Sequence, residues 1–274
     1  MSNTVNPSFQ RLAMITGMDV LEKLERTKVL VFGVGGVGSW CVEALVRSGI
    51  GKIGIVDFDT VCESNVNRQL QATSRTLGRV KVEVLKERLL EINPLCEITA
   101  WGKPFSKESA GEFGIETADY VIDAIDSLTH KLDLIEAACA ATGTRFFSSM
   151  GMARKMDPTR LKAAGIWETK GCPLARVVRQ GLRKRGFKGN FTVVYGDESL
   201  DNIPIDISAD ILVNATDVTG GSVAGANGPG RFSKKMANGS IVTVTASAGM
   251  ILASLILRDV HAKAGKASEV GGGQ

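Results

Sequence analysis

The sequence predicts an α/β fold: a Rossmann-like, mostly parallel sheet with flanking helices, then a smaller irregular C-terminal part suited to a substrate. Three observations predict it. Short β-branched runs alternate with helical periodicity through the first 150 residues, the pattern of parallel strands joined by crossover helices. A glycine-rich turn follows the first of those runs directly. Finally, 31 of the 274 residues are glycine while aromatics make up 5%, so aliphatic side chains must fill the core.

The elements follow in order. Residues 28–32 form a β-branched run ending at Gly33. Residues 39–48 place Cys41, Leu45 and Ser48 on one helical face, with Gly49 as a C-terminal cap. Residues 52–56 are the next strand, stopping at Asp57. Over 79–92, Val80, Val84 or Leu85, Leu89 and Ile92 recur at helical spacing until Asn93-Pro94 ends the helix. Strands follow at 96–100 and 120–123, a helix at 127–141 and a strand at 144–148. Beyond that the pattern loosens. Residues 172–185 read as a helix with a basic face and 191–195 as a strand. Residues 241–257 read as a buried strand turning into a buried helix, because Ile241, Val242 and Val244 alternate before the pattern changes. We expect a nucleotide-binding region over 1–150. A substrate-binding and dimerisation part over 151–265 would include a mobile loop at 196–237, and 266–274 would be a tail.

Composition narrows the class. Lys and Arg number 33 against 29 Asp and Glu, a net charge of +4, with 44% hydrophobic and 23% charged residues. Those values exclude wholesale disorder and a polytopic membrane protein. The five cysteines (Cys41, Cys62, Cys96, Cys139, Cys172) contain no C-x-x-C pair, against a local zinc knuckle or redox dithiol. The polar first 11 residues lack a signal-peptide core, so a cytoplasmic location is expected.

The glycine turn carries the first functional signal. Gly33, Gly35, Gly36 and Gly38 follow a strand and open a helix, where backbone N–H groups can approach a phosphate. Asp57, at the end of the next strand, is placed to accept hydrogen bonds from a ribose. Two chemistries share this half: hydride transfer with NAD, or nucleotidyl transfer from ATP. Splitting ATP requires cations around the triphosphate and a carboxylate for a divalent metal. Arg68 in the run from Asn65 to Gln69, Lys81 at the next helix start, and Asp123 and Asp126 after the fourth strand supply them. Each has a plainer reading: Arg68 and Lys81 as solvated charges, Asp126 as a helix cap.

In this order, GVGGVGS, VDFD (ending at Asp59), NVNRQ, Lys81 and DAID, the chain resembles the ubiquitin-activating-enzyme-like superfamily that includes MoeB, ThiF and HesA. The resemblance implies adenylation of a carboxylate with ATP and Mg2+. It places Gly33, Gly35, Gly36, Gly38, Asp57, Asp59, Asn65, Arg68, Gln69, Lys81, Asp123 and Asp126 at the nucleotide. Asp126 would hold the metal, and Arg11 would reach the site of the other subunit in a homodimer. Later stretches, Ser148 to Gly151, Asp157 to Leu161 and Cys172 to Ala175, are similar to the tRNA-modifying dehydratase branch that acts on threonylcarbamoyladenosine. That branch implies a tRNA carrying threonylcarbamoyladenosine as partner.

The sequence departs from the superfamily in its cysteines: none follows Cys172, where some dehydratase-like proteins carry one in the late loop. The two C-x-x-C pairs common in carrier-activating members are missing, which disfavours a ubiquitin-like sulfur-carrier protein as partner. The basic stretch Arg176, Arg179, Arg183, Lys184, Arg185 and Lys188 favours RNA instead. A carrier-activating adenylyltransferase, an NAD(P)-dependent dehydrogenase and a non-catalytic nucleotide-binding scaffold remain the alternatives.

Overall fold

A computed structural model describes residues 6–201 and 238–271. Its centre is a seven-stranded sheet in the order β3-β2-β1-β4-β5-β7-β6. The strands are β1 (Lys28–Phe32), β2 (Lys52–Val56), β3 (Glu97–Trp101), β4 (Tyr120–Asp123), β5 (Arg145–Ser149), β6 (Leu161–Gly165) and β7 (Thr192–Gly196). All neighbours are parallel except β6, which runs antiparallel to β7 at the edge. Because β6 and β7 extend the same sheet, it runs unbroken across the expected division at residue 150.

The helices are α1 (Gln10–Thr16), α2 (Met18–Arg26), α3 (Gly38–Arg47), α4 (Lys81–Ile92), α5 (Leu128–Ala140), α6 (Pro173–Lys184) and α7 (Val242–Gly271). They cover the sheet on both sides. Helices α2, α3, α4 and α7 bury one apolar layer containing Leu24, Val42, Leu45, Leu85 and Leu252. Helices α5 and α6 bury the other, with Leu134, Ile135, Val178 and Leu182 against Leu30, Phe32 and Val193. Strands buried on both faces read as near-continuous apolar runs, which is how β1 and β2 were visible in the sequence.

Residues 242–257 are helical from the start, not a strand turning into a helix. The β-branched opening of α7 is held helical by tertiary packing. Val244, Ala248, Leu252, Ile256 and Val260 recur every fourth residue as one buried stripe. Close approach to α3 depends on Gly249, where a Cβ would stand 2.5 Å from the Val37 carbonyl oxygen and 2.8 Å from the Cys41 nitrogen. By length and composition this helix could cross a bilayer; here its buried stripe packs on α3 and α2. The helix also continues through Gly271 into the stretch expected to be a tail. Most of the expected loop at 196–237 lies outside the described residues. All five cysteines are free thiols.

Strand order reverses between β1 and β4, since β2 lies on one side of β1 and β4 on the other. In open α/β sheets the crevice beyond the carboxyl ends of two such strands is where ligands bind. The glycine turn leaves β1 and the Asp126 loop leaves β4. Both open into that crevice.

Candidate active site

The glycine turn is built by close approaches that only hydrogen side chains permit. Gly33 has φ +86°, and a Cβ there would stand 2.7 Å from the Ala124 carbonyl oxygen in the loop after β4. A Cβ on Gly38 would stand 1.8 Å from the Gly33 carbonyl oxygen. At Gly36 the nearest atoms are Arg68 Cγ at 3.2 Å and the Thr245 side chain at 3.4 Å. Gly35 is open, with only Gln69 Nε2 at 3.8 Å. The turn is therefore a cradle closed below by the loop after β4 and flanked by the NVNRQ segment and the start of α7.

Asp57 ends β2 beside this cradle. Its Oδ2 accepts from the Val34 N–H at 2.8 Å and its Oδ1 from the Asp59 N–H at 3.0 Å. Burial raises its carboxyl above the usual range, against the opposing pull of Lys81. Lys81 opens α4 with its side chain buried, and its Nζ donates to Asp59 Oδ2 at 2.7 Å. Asn65 is buried and accepts from the Cys62 N–H at 3.3 Å, shaping the turn rather than pointing outward.

Arg68 rests over Gly36 with its guanidinium donating to the Ser64 carbonyl at 2.7 Å and to Asn67 Oδ1 at 2.9 Å. Burial lowers its pKa, against opposing pulls from Cys62 and Asp126. The Trp40 Nε1–H fixes the Arg68 backbone carbonyl at 3.0 Å. Asp126 is exposed and makes no hydrogen bond or ion pair with another described residue; the α5 cap position belongs to Ser127. The plain cap reading of Asp126 thus loses its support.

Asp123 is placed differently from expectation. It is completely buried, with Oδ2 accepting from Lys131 Nζ and Ser148 Oγ, each at 2.6 Å, and Oδ1 from the Ile125 N–H at 3.0 Å. Its carboxylate is fully buried in this network rather than open to the crevice. Two buried glutamines line the turn, each with an Oε1 that finds no donor among the described residues. One is Gln69. The other, Gln71, is not marked by anything in its sequence spacing; its Nε2 donates to the Val34 carbonyl at 2.8 Å. Such orphaned acceptors call for a donor, such as a water molecule or a hydroxyl group.

Arg11 is exposed on α1, away from this crevice. Phe9, just before α1, packs on Gly49 beyond the far end of α3. The ten residues of α3, about 15 Å at 1.5 Å per residue, separate that contact from the glycine turn. The basic stretch on α6 is also divided. Arg176, Arg183, Lys184 and Lys188 are exposed. Arg185 is committed to Asp133 at 2.6 Å and Glu136 at 2.8 Å, clamping α6 to α5, and Arg179 donates to Thr169. Arg183 stacks over Trp167 with 5.4 Å to the ring centroid.

The ThiF family model matches residues 9–267, nearly the whole chain. This chain belongs to the ThiF family. It is 44% identical over 203 residues to the Bacillus subtilis tRNA threonylcarbamoyladenosine dehydratase, covering 74% of this chain and 78% of that protein. The Escherichia coli protein of the same name is 33% identical over 262 residues, covering 94% and 95%. A crystal structure of the E. coli dehydratase in complex with ATP superposes with a TM-score of 0.78 at 29% identity, covering 97% of this chain and 98% of that one.

Proposed function

We infer that this chain is an ATP-dependent tRNA threonylcarbamoyladenosine dehydratase. The threonyl carboxylate attacks the α-phosphorus of ATP and pyrophosphate leaves. The carbamoyl group of the same nucleoside then attacks the acyl carbon, AMP leaves, and the ring closes with net loss of water. A carboxylate is a poor electrophile because oxide would have to depart; adenylation supplies AMP as the leaving group. Ring closure is intramolecular, so orientation can provide much of the rate.

One observation carries the assignment of roles. The glycine turn and the Asp126 loop abut through Gly33 and Ala124, with Arg68 laid over Gly36. In this reading the backbone N–H groups at Gly35 and Gly36 receive phosphate oxygens and Asp57 orients the ribose. Arg68 and Lys81 stabilise negative charge as it develops on the phosphates. Gln69 and Asn65 shape that wall, Asp59 holds Lys81 until the phosphates compete for it, and Asp123 supports the loop from below.

Mg2+ fits as an ion shared with the substrate. Among the described residues no group of three or more His, Cys, Asp or Glu could hold a metal alone. Mg2+ commonly takes one or two carboxylates plus substrate phosphates, and Asp126, unpaired among the described residues, supplies such a carboxylate. When bound, the ion would neutralise phosphate charge.

Homodimerisation is part of the proposal. Met14 and Ile15 on α1 are 77% and 83% exposed, beside Arg11, and an apolar patch there suits a second copy. Arg11, remote from its own crevice, would then serve the partner's. The exposed Arg176, Arg183, Lys184 and Lys188 would meet tRNA phosphates, and the cytoplasm is where such a substrate is found.

The test incubates the protein with ATP, Mg2+ and threonylcarbamoyl-modified tRNA, then digests the tRNA for nucleoside mass spectrometry. Loss of one water from the modified nucleoside, with AMP formed, is expected. AMP formation only with a protein ending in Gly-Gly would replace this reading by carrier activation. NAD binding without ATP–pyrophosphate exchange would replace it by a dehydrogenase.

A further inference from the structure

Beneath the crevice lies a buried polar cluster that the reaction as described does not use. Lys131, on the first turns of α5, is completely buried, as are Asp123 at the end of β4 and Ser148 in β5. Lys131 Nζ donates to Asp123 Oδ2 at 2.6 Å and to the Ser149 carbonyl at 3.0 Å, with Ser148 Oγ at 3.4 Å. Ser148 Oγ itself donates to Asp123 Oδ2 at 2.6 Å. One ammonium thus joins the carboxyl ends of two neighbouring strands. It also explains two sequence motifs together, since Asp123 begins DAID and Ser148 begins SSMG.

The cluster reaches the crevice through backbone. Asp123 Oδ1 accepts from the Ile125 N–H at 3.0 Å, immediately before Asp126. The intervening Ala124 carbonyl is the group against which Gly33 is packed. A buried ion pair offers little net stability compared with an apolar pair of similar volume, so a structural need alone does not account for it. Its hydrogen bonds instead determine where the backbone carrying Asp126 sits.

We propose that Lys131 is a positioning residue, which clamps Asp123 to the end of β5 and so holds Asp126 and the Gly33 turn in the arrangement that receives Mg-ATP. The proposal rests on the adenylation reading for what the crevice binds. Lys131 touches no reacting atom; it acts through Asp123 and the backbone of Ile125.

The test compares Lys131→Met, Lys131→Arg, Ser148→Ala and the double variant Lys131→Met/Asp123→Leu. Lys131→Met strands a buried carboxylate and melts early. The double variant replaces both charges by apolar groups and is expected to melt near the wild type while remaining defective. Calorimetric titration of ATP with Mg2+ should show the half-saturating Mg2+ raised about tenfold in the double variant, typical for losing a group that orients a metal ligand. The turnover number for AMP release should fall about 100-fold, as misplacement by an ångström does, with KM for modified tRNA unchanged. Lys131→Arg, which keeps the cation, should recover most of the turnover.

Ser148→Ala removes one hydrogen bond to Asp123 without altering charge, and should raise the Mg2+ requirement about threefold even if the double variant does not fold. Wild-type Mg2+ and ATP titrations in either the double variant or Ser148→Ala would overturn the proposal. Wild-type protein that binds Mg-ATP but never forms AMP with modified tRNA would defeat the adenylation reading instead. The binding titrations would still judge the clamp.

Discussion

Lys81 Nζ lies 2.7 Å from Asp59 Oδ2, and the Lys81 backbone N–H donates to the Asp59 carbonyl at 3.0 Å. The side chain of the lysine is 5% exposed and that of the aspartate 40%. The cation is therefore held inside the crevice wall by a carboxylate that water can reach. Incoming phosphates would take over that ammonium.

Replacing Lys81 by Met keeps the length of the buried stem and removes the charge. The expected result is about a 100-fold loss in kcat/KM for ATP, or about 2.7 kcal/mol of transition-state stabilisation. Steady-state AMP release on modified tRNA measures it. A variant with wild-type kcat/KM would remove Lys81 from the phosphate site.

Asp126 gives a cleaner separation of activity from stability. It is exposed and makes no hydrogen bond to another described residue, so Asp126→Ala should leave the thermal midpoint within about 2 °C of wild type. AMP formation should be abolished across a Mg2+ titration. Full activity in this variant would take the metal role away from it.

The contrast between Asp123 and Asp126 shows what the sequence could and could not reveal. Spacing after a strand placed both at the carboxyl edge of β4, and the edge was right for both. Their roles diverge because Asp123 still follows the strand, where alternate side chains point into packed layers, while Asp126 lies three residues out on the loop. Lys131 carries no sequence signal either: a lysine near a helix start reads as solvated, and its burial depends on Asp123 and Ser148 arriving from other strands. Strands β1 and β2 were legible to the residue because both their faces are covered. Edge strand β6 was not, since Leu161 to Gly165 is short, half-exposed and without alternation. Helix α7 misled because its β-branched start favours a strand locally, while its buried stripe and the close Gly249 approach to α3 favour the helix.

Glu43 links stability to pH. Burial alone would raise its carboxyl, but hydrogen bonds from Arg88 at 2.6 Å and Arg47 at 2.9 Å hold it below the ordinary value. Folding therefore favours the ionised form. The contribution is complete above the unfolded glutamate pKa of about 4.3 and disappears as pH falls through the lower folded value. Glu43→Gln should cost about 2 kcal/mol at neutral pH, since it leaves two guanidinium groups without their carboxylate. Urea unfolding across pH should show that difference shrinking towards zero in acid. A difference that does not change with pH would mean the ionised carboxylate is not what stabilises this junction of α3 and α4.

The last prediction concerns the α6 surface, where the structure redistributes the basic residues. Arg185 is spent on Asp133 and Glu136, and Arg179 on Thr169, so neither is free to meet RNA without breaking an internal contact. Arg176, Lys184 and Lys188 are exposed, with no ion pair to another described residue. Changing these three together to Ala should weaken tRNA binding and flatten the slope of log affinity against log salt by about one for each phosphate no longer neutralised. Arg185→Ala should instead lower the melting temperature and leave the salt slope as it was. Filter binding at several salt concentrations separates the two outcomes. An unchanged slope in the triple variant would move the tRNA off α6 altogether.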